Sequence, residues 1–260
     1  MGLFFTWVFW WVFFFCILVY KLLLYKPIFI EQPYFDFLVP MHEAIIEIHD
    51  LSRGYPKTDQ LIFDKFNFTL HRGDFCFLVG KSGSGKTTLV KFLLRQLQPP
   101  LKTIFYNKED IARFSVDEVQ DYRRKLGVVF QDYKIIETMT VWENICYPLI
   151  IDNIDPVDRH ESLERIMKIL GLQDKKNKAC KTLSGGEKQR VSIARSLASD
   201  PSFIIADEPT GNLDWENSKL IAESMIQLHK QGHTILFITH DQRLMEYIQK
   251  NHDAVKIIEL

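Results

Sequence analysis

Charge of neither sign predominates in this chain: 32 Lys and Arg residues oppose 33 Asp and Glu, a formal net charge of -1 over 260 residues. A protein that holds nucleic acid through its phosphates needs a basic excess or stripe, so no nucleic-acid partner is expected. Cysteine is scarce as well. Cys16, Cys76, Cys146 and Cys180 are the whole complement. No C-x-x-C or Cys/His ligand spacing joins them, which argues against a disulfide framework or a zinc module and predicts reduced, mostly buried thiols. From Leu3 to Tyr20 charged residues are lacking altogether. These about 18 positions approach the lower limit for a helix that crosses a bilayer. No Lys or Arg precedes Lys21, and bulky residues stand where a signal peptide needs small ones, so a cleaved secretory signal is not expected. An inserted leader carries Lys21 and Lys26 on its C-terminal flank, which orients the C-terminal domain toward the cytoplasm. The other reading takes residues 1–40 as an upstream start assigned in error, with the true start at Met41 and the domain at 41–260. Both readings stand.

From Met41 onward the pattern alternates strand-like and helix-like runs, with no internal repeat or low-complexity tract. Apolar strands are expected around Ala44–Ile48 and Leu70–Val79, followed by a helix whose buried face carries Leu89, Phe92, Leu93 and Leu97 and which Pro99-Pro100 closes. A short strand, Gly127–Phe130, precedes a helical insertion over about 135–183. There Asp155-Pro156 reads as a helix start, Leu163, Ile166, Met167 and Leu170 share one face, and Gly171 is a stop. A helix from about Glu187, a buried strand at Phe203–Ala206, a helix from about Trp215 and a strand at Thr234–Thr239 complete an α/β order.

Three strings carry chemistry. GKSGSGKT, Gly80–Thr87, fits G-x-x-x-x-G-K-[ST], and it follows an apolar strand and opens a helix, the context in which that spacing cradles phosphate. Gly80, Ser82, Gly83, Ser84 and Gly85 supply a close backbone. Lys86 reaches the β- and γ-phosphates of a nucleotide, Thr87 offers a hydroxyl to Mg²⁺, and Thr88 continues the helix start. IIADE, Ile204–Glu208, sets two carboxylates at a strand end: Asp207 suits a Mg²⁺ shell, and Glu208 suits proton abstraction from an attacking water. LSGGEKQR, Leu183–Arg190, is a capping box, Ser184 with Glu187, in which Gly185 and Gly186 leave helix amides uncovered.

The last string, lying between a phosphate loop and an acidic strand end, resembles the signature of ABC-type ATPases. The chain is identified as a member of that superfamily from about Ala44 to the C-terminus. The resemblance implies a P-loop NTPase fold with a mixed or parallel core sheet, a small antiparallel β subdomain and a helical insertion. It implies ATP and Mg²⁺ as ligands, and hydrolysis of ATP to ADP and phosphate. It also implies a head-to-tail homodimer in which Ser184 and Gly186 of one copy meet the γ-phosphate held by the Lys86 loop of the other. By the same resemblance Tyr55 stacks on adenine, Gln131 touches Mg²⁺ and the attacking water, His240 senses the γ-phosphate, and Asp214 lies in the loop between the two sites. One departure is QPPLKTIFYNKED, where the family has a Pro-x-x-Gly turn and the glycine is missing.

FQDYKIIETMTVWENI and ADEPTGNLD resemble one branch of the superfamily, which holds FtsE-type cell-division ATPases, LolD-type lipoprotein-release ATPases and MacB-type exporters. The compact length favours the FtsE type. That implies an integral membrane partner resembling FtsX, control of cell-wall hydrolysis, contact with the cytoplasmic division machinery, and a place at the cytoplasmic face of the membrane. LolD/MacB-like transport is the second reading. An ABC ATPase that works without a membrane ranks below both, because the chain has neither a long coiled coil nor a second cassette. The partner's coupling helix is expected at Tyr133–Asn144, where Trp142 reads equally well as core.

Overall fold

The computed structural model describes residues 43–54, 61–81 and 83–260. The leader, Met41, Tyr55 and Ser82 lie outside the described residues, and among those described no helix is long and apolar enough to cross a membrane.

Three runs, Phe75–Val79 (β3), Phe203–Asp207 (β7) and Ile235–Ile238 (β8), are almost wholly apolar and buried. Strands of that composition need cover on both faces, which a parallel sheet with flanking helices provides. They form it together with Leu126–Phe130 (β6) and Val255–Glu259 (β9), in the order β6-β7-β8-β3-β9. A second, antiparallel sheet has the order β2-β1-β4-β5, from Ala44–Gly54 (β1), Leu61–His71 (β2), Ile104–Tyr106 (β4) and Glu109–Asp110 (β5). One apolar cluster, including Leu78, Leu89, Phe92 and Ile205, lies with the antiparallel sheet and the helix Lys86–Leu93 (α1). The other, including Phe77, Ile145, Met167 and Ile193, gathers the later helices.

Those helices are Val116–Arg124 (α2), Val141–Ile151 (α3), His160–Ile169 (α4), Gly185–Leu197 (α5), Trp215–Lys230 (α6) and Gln242–Asn251 (α7). Capping boxes start α2 at Ser115, α3 at Thr140 and α5 at Ser184. Asp155 caps a short 3₁₀ turn, Pro156–Arg159, that leads into α4, whose Leu163 and Met167 are fully buried. The thiols of Cys76, Cys146 and Cys180 are free and buried, and burial pushes that of Cys76 up to about 12.

Two expectations are corrected. The run Leu70–Val79 is not one strand: the chain leaves β2 at His71, turns through Gly73 (φ 76°) and enters the other sheet at Phe75. The Asp74 carboxylate fixes that turn by accepting from the His71 N–H at 2.8 Å. Helix α1 also stops well short of Pro99-Pro100. Arg95 turns left-handed (φ 52°), and the N–H groups of Gln96 and Leu97 both close on the Lys91 carbonyl, so Leu97 is 40% exposed instead of lying on the buried face. No glycine marked the site, so the stop was invisible to composition.

At the missing Pro-x-x-Gly glycine stands Lys102, with φ 61° and its N–H donating to Asp110 Oδ2 at 2.9 Å. The antiparallel sheet forms regardless, β4 pairing β1 with Ile46 opposite Tyr106. A non-glycine residue in the left-handed region costs about 1–2 kcal/mol. Glycine returns part of that gain by losing more freedom on folding, about 0.5–1 kcal/mol. Lys102→Gly is therefore expected to stabilise the fold by about 0.5–1 kcal/mol. The urea midpoint should rise at unchanged m-value, with ATPase activity unaltered; a fall in the midpoint would show that Lys102 makes a compensating contact.

Candidate active site

A parallel sheet presents all its carboxyl ends at one edge, and there the loops after β3, β6, β7 and β8 meet. They border a cleft of ≈ 790 Å³ lined by Gly80, Lys81, Gly83, Gly85, Lys86, Thr87, Thr88, Gln131, Glu208 and His240. Val79, Gln242, Met245 and Glu259 complete the lining and were not foreseen; the last three come from α7 and β9, which bear no phosphate or carboxylate pattern.

The phosphate loop is shaped by close approach. Gly85 has φ 103°, and a Cβ there would lie 3.0 Å from the Phe63 ring of β2, so the loop lies directly on the antiparallel sheet. Lys86 opens α1 and is only 9% exposed; its ammonium donates to the carbonyls of Gly80 at 2.7 Å and Lys81 at 3.1 Å. Thr87 is exposed at the same helix start.

At the end of β7, Asp207 is followed by Glu208 in a left-handed conformation, φ 47°. The Glu208 N–H donates to the Ile238 carbonyl at 3.0 Å, and its own carbonyl accepts from Gly211 at 3.1 Å, which holds the turn. Glu208 Oε1 lies 2.7 Å from His240 Nδ1, just beyond β8. Burial, then the neighbouring Glu208 charge, pushes the Asp207 carboxyl above its ordinary range, against the pull of Lys86. A carboxylate so placed gains from a cation. Thr87 and Gln131 line the cleft and Asp207 ends β7 beside it, and all three carry oxygens of the kind Mg²⁺ takes.

Gln131 follows β6 directly. Its Nε2 donates to Asn212 Oδ1 at 3.2 Å, and Asn212 Nδ2 donates back to the Gln131 carbonyl at 3.3 Å. That reciprocal amide pair was not foreseen, since the partners are separated by β7 and no local pattern joins them.

Ser84, Asp207, Ser184, Gly185, Gly186 and Asp214 are not among the residues that line this cleft. Ser184 caps α5: its hydroxyl accepts from the Glu187 N–H at 3.3 Å, and the Glu187 carboxylate accepts from the Ser184 N–H at 2.8 Å. Asp214 caps α6 through the Asn217 N–H at 2.8 Å and Asn217 Nδ2 at 2.9 Å, bonds that hold its carboxyl below its ordinary range. Trp142 is half-buried against the later-helix core, with Lys176 Nζ 3.8 Å from its ring centroid.

Comparison with known proteins agrees with this architecture. The ABC transporter family model matches residues 63–211. The chain is 34% identical over 212 residues to the cell division ATP-binding protein FtsE of Bacillus subtilis, covering 82% of this chain and 92% of that protein. It is 37% identical over 202 residues to FtsE of Haemophilus influenzae, covering 78% and 93%. A macrolide export ATP-binding/permease protein MacB from Azoarcus is 35% identical over 209 residues, 79% of this chain but 32% of that protein. Among solved structures, the dimeric ATP-binding cassette MJ0796 bound to ADP and Pi superposes with a TM-score of 0.69 at 28% identity, covering 83% of this chain and 94% of that one. With a phosphate loop, an acid pair and a histidine meeting at one sheet edge, the chain belongs to the ABC transporter ATP-binding family and is an ATPase of that type.

Proposed function

We propose that this chain is the ATP-hydrolysing subunit of an FtsE-type membrane complex. It acts as an ATP-bound homodimer on an FtsX-like integral membrane partner, at the cytoplasmic face of the membrane, in division and the control of cell-wall hydrolysis. The observation that carries the chemistry is the 2.7 Å contact between Glu208 and His240 in the same cleft as Lys86. The two FtsE relatives, each matched over more than nine-tenths of its length, support the branch.

In this reading the amides from Gly80 to Thr88 bind the phosphates, and Lys86 exchanges its two loop carbonyls for β- and γ-phosphate oxygens. Tyr55 stacks on adenine. Thr87, Asp207 and Gln131 would hold Mg²⁺, which when bound neutralises phosphate charge. Glu208 takes the proton of the attacking water, His240 orients that carboxylate, and the Asn212 pair fixes where the Gln131 side chain points. The chain's own cleft lacks a signature residue, so a second copy supplies Ser184, Gly185 and Gly186, whose helix start attracts the γ-phosphate. Asp214 stands between the paired sites. The membrane partner docks beside Gln131, on exposed Lys134, Glu137 and Thr138. Trp142 supports that surface from beneath. LolD/MacB-like export is the second reading, favoured by the MacB relative.

Glu208→Gln should bind ATP as the parent does, turn over at least about 100-fold more slowly, and run as a dimer with ATP in light scattering. Brisk turnover by that variant would remove Glu208 from the role of base. The same variant, tagged and solubilised from native membranes with ATP, should bring down a few-span protein with a modest extracytoplasmic domain. Recovery of a lipoprotein-release or exporter permease instead would replace the division reading with export.

A further inference from the structure

The signature glycines are seated against two side chains that none of the chemical motifs contains. A Cβ built on Gly186 overlaps the Asn217 carboxamide, with Cγ at 2.6 Å and Oδ1 nearer still. A Cβ on Gly185 would stand 3.0 Å from the Tyr133 hydroxyl and 3.6 Å from Leu213 Cδ2. Both missing side chains therefore point inward, toward this chain's own α6 and the loop after β6. A side chain at either position would have to displace a neighbour of the same subunit, the Asn217 carboxamide at Gly186 and the Tyr133 hydroxyl at Gly185.

Each neighbour is tied to another part of the site. Asn217 donates through Nδ2 to Asp214, the residue that caps α6. Tyr133 follows Gln131 by two residues, has φ 60°, and its carbonyl accepts from Arg195 of α5 at 3.2 Å. The Asn212–Gln131 pair adds a second link, since Asn212 precedes Asp214 by two residues. Two side-chain pairs, Asn217 with Asp214 and Asn212 with Gln131, thus tie the loops that flank the signature start, all within one subunit.

We propose that Asn217 and Tyr133 are positioning residues that set the signature glycines for the partner copy's ATP, and thereby link the Gln131 loop of one site to the signature that serves the other. This rests on the reading of the working enzyme as an ATP-bound homodimer. The Asn217 side chain acts through packing and its Nδ2 bond to Asp214, not by touching nucleotide. A change there should spare ATP binding by the single subunit and weaken the assembled site.

The test is a suppressor series in the full chain carrying Glu208→Gln. Gly186→Ala forces a methyl into the Asn217 carboxamide and should lower the melting temperature by about 5 °C. It should also weaken ATP-driven dimerisation at least about 10-fold, a threshold of about 1.4 kcal/mol. Adding Asn217→Ala clears the space, so the double variant should recover melting temperature, while dimerisation, with the positioning side chain gone, should stay at least about 10-fold weaker. Tyr133→Phe, which removes only the hydroxyl, should keep its ATP affinity as a single subunit and shift the dimerisation midpoint. Recovery of dimerisation together with melting temperature would overturn the positioning role and leave only a packing contact. No recovery of either would show that the glycine answers to something other than Asn217. If the Glu208→Gln parent with ATP stays monomeric, the dimer reading itself falls, and the link between sites with it, while the melting temperatures still report whether the clamp exists.

Discussion

One row of backbone pairing governs everything at the cleft. Phe130 of β6 is paired with Asp207 of β7, Asp207 with Ile238 of β8, and Ile238 with Leu78 of β3. Parallel strands in one register end at one level, so the residues just beyond that row arrive together: Gln131, Glu208, His240 and the phosphate loop. None of these groups is brought there by its own chemistry. They arrive because the strands behind them, apolar on both faces and covered on both, pair in parallel and end together. A one-residue slip of β7 would turn each of its side chains to the other face and break the Glu208 contacts with Ile238 and His240.

The turn at Glu208 shows how that scaffold meets a local cost. A left-handed backbone on a non-glycine residue stores strain of about 1–3 kcal/mol and persists where surroundings over-determine it. Here the N–H is held by the next strand and the carbonyl by the Gly211 N–H, so the residue cannot relax without breaking the end of the sheet. The return is direction: the carboxylate leaves the strand axis and reaches His240. An extended Glu208 would continue the line of β7. Its neighbour Asp207 stays in the strand, with a carboxyl that burial, and then the Glu208 charge, pushes above its ordinary range. Two adjacent acids thus acquire different surroundings from the turn of the backbone between them.

What could be read from the sequence divides along the same line. The phosphate loop, the acid pair and the capped signature were legible because their chemistry demands particular residues at fixed spacings within one short segment. The apolar runs of β3, β7 and β8 were legible because burial on both faces leaves no other composition. The end of α1 was not, since Arg95 takes the conformation that glycine usually signals. The break between β2 and β3 was hidden by apolar residues on both sides of a turn. Least legible were contacts joining distant segments: Asn212 with Gln131, and Asn217 with Gly186. Asn217 reads only as a polar position on the first turn of a helix. Its role appears when the Cβ that Gly186 lacks is drawn in.

The signature helix is not free to move apart from the cleft it does not line. Gln189, fully buried on α5, donates to the Phe130 carbonyl at 3.2 Å, at the very end of β6, and Arg195 two turns on reaches the Tyr133 carbonyl. Both acceptors flank Gln131. A displacement of that loop must therefore either carry α5 with it or break two side-chain bonds in a buried setting, where an unsatisfied donor costs about 1–3 kcal/mol each. Moving the helix as a body is the cheaper course. Because α5 begins at Gly185, any event that repositions the Gln131 loop also repositions the start of that helix. The coupling needs no long pathway: it is two hydrogen bonds and one stiff helix, with the reporting end and the responding end on the same three turns.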